Sequence, residues 1–106
     1  MPRYLIEGSY TPEGTKGLMQ EGGSSRRDTV KKAIEALGGT MEAFYYTFGH
    51  RDVIVIFTAP DDVTAAALSM AVNQSGKVSL TTHPLLTPED FDQAAKKTVA
   101  YRPPGA

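Results

Sequence analysis

Few side chains in this 106-residue chain are suited to chemistry, and two histidines come first. His83 ends an alternating segment, Lys77 to His83, in which Ser79, Thr81 and His83 share one face. The N-terminal segment alternates too, with Arg3, Leu5, Glu7 and Ser9 on one face. Strand pairing that brings these faces together sets a base beside a cation and a carboxylate. His83 could then serve as a general base, Arg3 could hold an anionic group, and Tyr45 or Tyr10 could donate a hydrogen bond. One histidine and one carboxylate fall short of the three protein ligands of a catalytic zinc, so no metal is expected. His50, in a turn beside Arg51 and Asp52, reads as a solvated turn residue.

A second candidate is Gly22-Gly23-Ser24-Ser25-Arg26-Arg27. Glycines can form a backbone nest, and helix-initiating N–H groups bind phosphate or carboxylate. Arginines in a first helical turn oppose the helix dipole unless an anion sits there, which makes Ser24, Arg26 and Arg27 candidate ligand contacts. No Walker lysine or dinucleotide spacing accompanies them, and the plainer reading is a loop with an ordinary serine cap and solvated arginines. Tyr10, Tyr45 and Tyr46 fall near strand ends and could line a pocket, although tyrosines also pack in cores with their hydroxyls satisfied. Phe44 and Phe48 are assigned to the helix-facing core with Tyr46.

The elements that must position these residues follow from pattern. Arg3 to Tyr10 reads as a strand. Thr11-Pro12-Glu13 reads as a helix start that Gly14, Gly17 and Gly22-Gly23 weaken or break. A new start is expected at Ser24 or Ser25, with Asp28 closing a weak capping box. Val30, Ala33, Ile34 and Leu37 recur at helical spacing, and Gly38-Gly39 ends the helix with a left-handed cap. Thr40 to Phe48 and Val53 to Thr58 read as a hairpin joined by Gly49-His50-Arg51-Asp52. The second of these strands is apolar on both faces, so it belongs at the centre of the sheet. Pro60-Asp61-Asp62 opens a helix that Gly76 stops. The strand from Lys77 is closed by Pro84, and Thr87-Pro88-Glu89-Asp90 starts a last helix.

This order, β-α-β-β-α-β plus a C-terminal helix, is the split βαβ arrangement: an α+β, ferredoxin-like fold with both main helices on one face of a four-stranded antiparallel sheet. A single domain is expected over residues 1–98, with a tail over 99–106. The other sheet face carries Arg3, Leu5, Glu7 and Ser9 together with Met41, Ala43, Tyr45 and Thr47, a mixture ill-suited to bare water. It calls for a second sheet or a ligand, and a homodimer or higher even oligomer joined sheet to sheet is the expected partner.

Composition narrows the classes. Eleven Lys+Arg against 12 Asp+Glu, a formal charge of −1, give no overall attraction to nucleic acid or anionic lipid. Lys31-Lys32 and Lys96-Lys97 lack aromatic interleaving, so no nucleic-acid partner is expected. With no cysteine there is no disulfide, thiolate nucleophile or iron–sulfur ligand. The longest apolar run is too short to span a membrane and the start lacks a signal-like stretch, so a cytoplasmic protein without a membrane partner is expected.

Five stretches in order carry a family resemblance: Gly8 to Gly14, Glu21 to Ser24, Glu42 to Tyr46, Asn73 to Gly76 and Pro84 to Glu89. Together they resemble the GYD-domain family of small bacterial proteins, from about Tyr4 to the last helix. The resemblance implies a ferredoxin-like fold of the dimeric α/β-barrel kind and little about activity. At the name-giving signature this chain has Gly49-His50-Arg51-Asp52, without the aromatic, so no role for a tyrosine hydroxyl carries over.

Three readings follow. The first is a small-molecule binding or accessory protein without a cofactor. It would hold a small anionic ligand at the open sheet face, in the dimer barrel, or between sheet and helices, through Arg3, Glu7, Tyr10, Tyr45, Ser24, Arg26 and Arg27. The second is a cofactor-independent isomerase or monooxygenase acting on a small anionic substrate, with His83 as its base; whether the chain is an enzyme stays open. The third is a structural, oligomer-forming protein.

Overall fold

A computed structural model describes residues 1–106. The elements are β1 (Arg3–Tyr10), α1 (Pro12–Glu21), α2 (Gly23–Ala36), β2 (Thr40–Tyr46), β3 (Val53–Thr58), α3 (Asp62–Gln74), β4 (Val78–Leu85) and α4 (Pro88–Ala95). The strands form one antiparallel sheet in the order β2-β3-β1-β4, so the α+β, ferredoxin-like arrangement holds.

One face of the sheet is covered. Tyr4 and Ile6 of β1, Val53, Val55 and Phe57 of β3, and Leu80 of β4 pack against Ile34 of α2 and Ala65 and Leu68 of α3. These alternate positions are the ones a pleated strand sends to one side. Tyr4 and Phe57 stack with ring centroids 5.3 Å apart. The Tyr4 hydroxyl donates to Asp62 at the start of α3, so the buried ring keeps a polar partner. Burial above all, and then that carboxylate, pushes the Tyr4 phenol up to about 12.

Several local expectations need correction. Instead of a broken turn, α1 is a ten-residue helix, capped by Thr11 Oγ1 accepting from the Gly14 N–H at 3.1 Å. The break falls at Gly22, whose φ of +97° ends α1 and begins α2, a conformation open to glycine at little cost. Gly22 is therefore the N-cap of α2; neither Ser24, Ser25 nor Asp28 caps it. Gly38, at φ +86°, is left-handed as its sequence position implied. Pro84 lies inside β4 and does not close it, which is tolerated because β4 is an edge strand. Phe48 lies beyond the end of β2 and is fully exposed, so it is no part of the core.

The largest departure is a β-bulge between Met41 and Ala43. It inserts Glu42 and shifts the alternation, so Met41 pairs with Phe57 and packs on the helix-side core with Phe44, and leaves the open face. Thr47 follows the strand and donates its N–H to the Asp52 carbonyl at 2.8 Å, which continues the pairing of β2 with β3 by one more residue.

The C-terminal part stands apart. Helix α4 has a complete capping box at Thr87 and Asp90 but no buried residue, and Leu86 and Phe91 are exposed. The molecule measures 55 × 34 × 23 Å with a radius of gyration of 16.8 Å. A compact chain of this length would have about 13 Å.

Candidate functional site

The open face of the sheet is built from β1, β3, β4 and the bulged end of β2. Antiparallel register sets Leu5 opposite His83, Glu7 opposite Thr81 and Ser9 opposite Ser79, all pointing away from the helices. On the other side of β1, Leu5 pairs with Ile56 and Glu7 with Ile54. The face thus has an apolar half (Leu5, Ile54, Ile56, Ala43, Tyr45) and a polar half.

In the polar half, His83 Nε2 lies 3.7 Å from Glu7 Oε2 and 3.2 Å from Thr81 Oγ1. Arg51 reaches over from the β2–β3 connection. Its two terminal nitrogens donate to Thr81 Oγ1 at 3.1 Å and to Ser9 Oγ at 3.5 Å. Glu7, Ser9, Arg51, Thr81 and His83 therefore form one connected cluster. Arg3, at the far end of β1, is bound on both sides of its guanidinium by the Glu42 carboxylate, with Nη2 to Oε2 at 3.1 Å. That fork-to-fork pair holds the Glu42 carboxyl below its usual range and raises Arg3 above its own. Arg3 is accordingly occupied by a neighbour, and the cation of this face without a carboxylate is Arg51.

Residues singled out in the sequence fall on two sides of the sheet. Arg3, Glu7, Tyr45 and His83 lie on the open face, with Tyr45 70% exposed and away from Tyr10 and Tyr46. Tyr10 and Arg26 lie on the helix side, where both line a crevice under α2 and α3. The hydroxyl of Tyr46 donates to the Gly23 carbonyl at 3.0 Å and ties β2 to the start of α2. Burial first, then the neighbouring Tyr10, pushes the Tyr46 phenol up to about 12; burial also raises Tyr10, against an opposing pull from Arg26. Ser24 and Arg27 are exposed, and Arg27 pairs with Asp28 at 3.1 Å. His50 is an exposed turn residue.

Arg51, Thr81 and Glu42 were not singled out as site residues. Thr81 shared the alternation of His83, so its signal was present. Arg51 gave none, because the conformation of the turn decides which face its side chain reaches. No group of three or more His, Asp and Glu side chains could hold a metal ion. No helix is long and apolar enough to cross a membrane.

These features define an α+β domain with one covered and one open sheet face. The chain belongs to the GYD domain family, whose model matches residues 4–95. No curated protein and no solved structure matches it significantly. Within the matched range Asp52 is structural: its Oδ2 accepts from the Tyr10 N–H at 2.8 Å, and its own N–H donates to the Gly8 carbonyl at 2.8 Å. Asp52 thus fastens the hairpin to β1 and sets Arg51 over the open face.

Proposed function

We propose that this chain is one subunit of a ligand-binding homodimer. The open faces of two sheets pair, and the enclosed Glu7–His83–Thr81–Arg51–Ser9 cluster holds a small anionic organic molecule. The observation that carries the reading is Arg51, a partly buried guanidinium whose partners are two neutral hydroxyls. A carboxylate ligand would supply the charge-assisted, two-pronged contact that those hydroxyls do not. Pairing is supported by half-buried Leu5, Ile54 and Ile56 and exposed Tyr45 on the same face, since contiguous apolar surface left open to solvent marks interaction sites. It is supported also by α4, too short to persist alone in water, which with the segment before it offers Phe91 and Leu86 to a second copy.

Native mass spectrometry at micromolar concentration tests this directly. A dimer or larger even assembly that Ile54→Glu converts to monomer is the expected result; a wild-type monomer overturns it. Extra mass on the native oligomer, lost on denaturation, would identify a bound ligand.

The Glu7–His83 contact favours a second reading, in which a carboxylate-oriented imidazole removes a proton from a bound anionic substrate. His83→Ala separates the two: under the first reading it weakens ligand binding only in part, because Arg51 stays in place, and under the second it abolishes turnover.

A further inference from the structure

On the side of the sheet away from the open face, α2 and α3 leave a crevice of about 90 Å³ between them. Its floor is Ile6, Phe44, Val53, Val55, Val78 and Leu80, contributed by all four strands, and its walls are Val30 and Ala33 of α2 and Leu68 and Val72 of α3. Eleven of its 13 lining residues are hydrophobic. Tyr10 and Arg26 stand at one end and also line a second, polar recess of about 260 Å³, with Glu21, Ser75 and Lys77 around it. An apolar slot therefore opens into a polar vestibule at Arg26.

The charges of the vestibule are unequal in availability. Lys77 is paired with Glu13 at 3.5 Å, whereas Arg26 is partly buried and takes part in none of the chain's four ion pairs. Glu21 lines the same recess without reaching Arg26. The hydroxyl of Tyr10 lies beside Arg26 and Tyr46. A guanidinium and a phenol converging at the mouth of a greasy slot suit a molecule with an anionic head and an apolar body. The slot has room for roughly one aromatic ring or a short alkyl chain.

We infer that this crevice is a second binding site, distinct from the open face, that takes a small carboxylate with its apolar body between α2 and α3 and its head against Arg26 and Tyr10. It does not depend on dimer formation or on the Arg51 cluster.

The probe is phenylacetate, titrated into the full chain and followed by amide resonances in two-dimensional NMR, with neutral phenylacetamide as the comparison. Phenylacetate is expected to shift Val30, Ala33, Val72 and Leu80 saturably. Phenylacetamide should bind about tenfold more weakly, the usual worth of one charge-assisted contact. Arg26→Gln should erase that difference, and Val72→Phe, which fills the slot, should abolish binding of both. Equal affinity for acid and amide in the wild-type chain overturns the proposal without recourse to any variant. So does the absence of saturable shifts, or shifts confined to open-face residues such as Thr81 and His83. Occupation of the slot by α4 of a second copy would also overturn it, and would appear as crevice resonances that move on dilution and in Phe91→Ala.

Discussion

Two glycines of the same helix should respond oppositely to the same substitution. In α1, Gly14 stands in the first turn and Gly17 in the interior, and helix propensity alone favours alanine at each by up to about 1 kcal/mol. At Gly17 a Cβ meets nothing within 4 Å, so Gly17→Ala should stabilise the protein by about 0.5–1 kcal/mol. At Gly14 the Cβ would lie 2.0 Å from the Lys77 carbonyl oxygen, a backbone atom that cannot swing aside. Ordinary contact begins near 3.4 Å, so helix and strand must part by about 1.4 Å. That movement disrupts the bonds that the Lys77 carbonyl accepts from the Thr11 N–H at 3.0 Å and Thr11 Oγ1 at 3.2 Å, each worth about 1 kcal/mol. Overpacking adds about 1–3 kcal/mol, and the propensity gain offsets about 1, leaving a net loss of about 2–4 kcal/mol. At roughly 4 °C per kcal/mol, thermal melts followed by circular dichroism should show Gly17→Ala about 3 °C above wild type and Gly14→Ala about 10 °C below. A Gly14→Ala variant as stable as wild type would refute the claim that α1 is seated by backbone contact at Lys77.

Further expectations concern the core and its pH limits. Phe57→Ala removes a ring that is only 1% exposed and leaves Tyr4 without its stacking partner, so urea unfolding should show a loss of about 3–5 kcal/mol. Because Tyr4 has a higher pKa folded than unfolded, its contribution is complete below about pH 10 and is lost as pH rises toward about 12. Tyr4→Phe should flatten that alkaline limb in pH-dependent melts, with the limb from Tyr46 remaining. Asp61 caps α3 by accepting from the Thr64 N–H at 2.8 Å, and those bonds hold its carboxyl below the usual range. Its contribution is present above about pH 4 and lost as pH falls through the lowered value, so Asp61→Asn should flatten the acid limb while keeping the cap.

The fold was legible where one local rule decided each element. Thr11, Asp61 and Thr87 cap as their side chains dictate, and the unbroken apolar run from Val53 to Phe57 marks an interior strand of the sheet. Errors arose where two rules competed. Strict period-two counting put Met41 with Ala43 and Tyr45, yet the apolar residues Met41, Phe44 and Tyr46 are spaced three and then two apart. That spacing is itself the mark of a bulge, which strict alternation conceals. The glycines of α1 predicted weakness because propensity sees no tertiary contact, whereas Gly14 is where the helix meets Lys77. At the sites, alternation places Arg3, Glu7 and His83 on one face, but only three-dimensional packing reveals that Glu42 occupies Arg3 and that Arg51 has hydroxyl partners and no carboxylate.

The distribution of ion pairs bears on both proposed sites. Carboxylates are not scarce, since 12 acidic residues face 11 basic ones. Arg3, Arg27 and Lys77, all on the outside of the domain, nonetheless have carboxylate partners, and such exposed pairs contribute little to stability. The two partly buried arginines, Arg26 and Arg51, have none, although burying an unpaired charge costs more than exposing one. A fold selected for stability alone would reverse that allocation. One arginine stands on each side of the sheet, each beside hydroxyl groups and apolar surface. An arrangement that withholds carboxylates from the two sheltered guanidiniums leaves both of them open to anions from solution, which is what the two proposed sites, one on each face of the sheet, require.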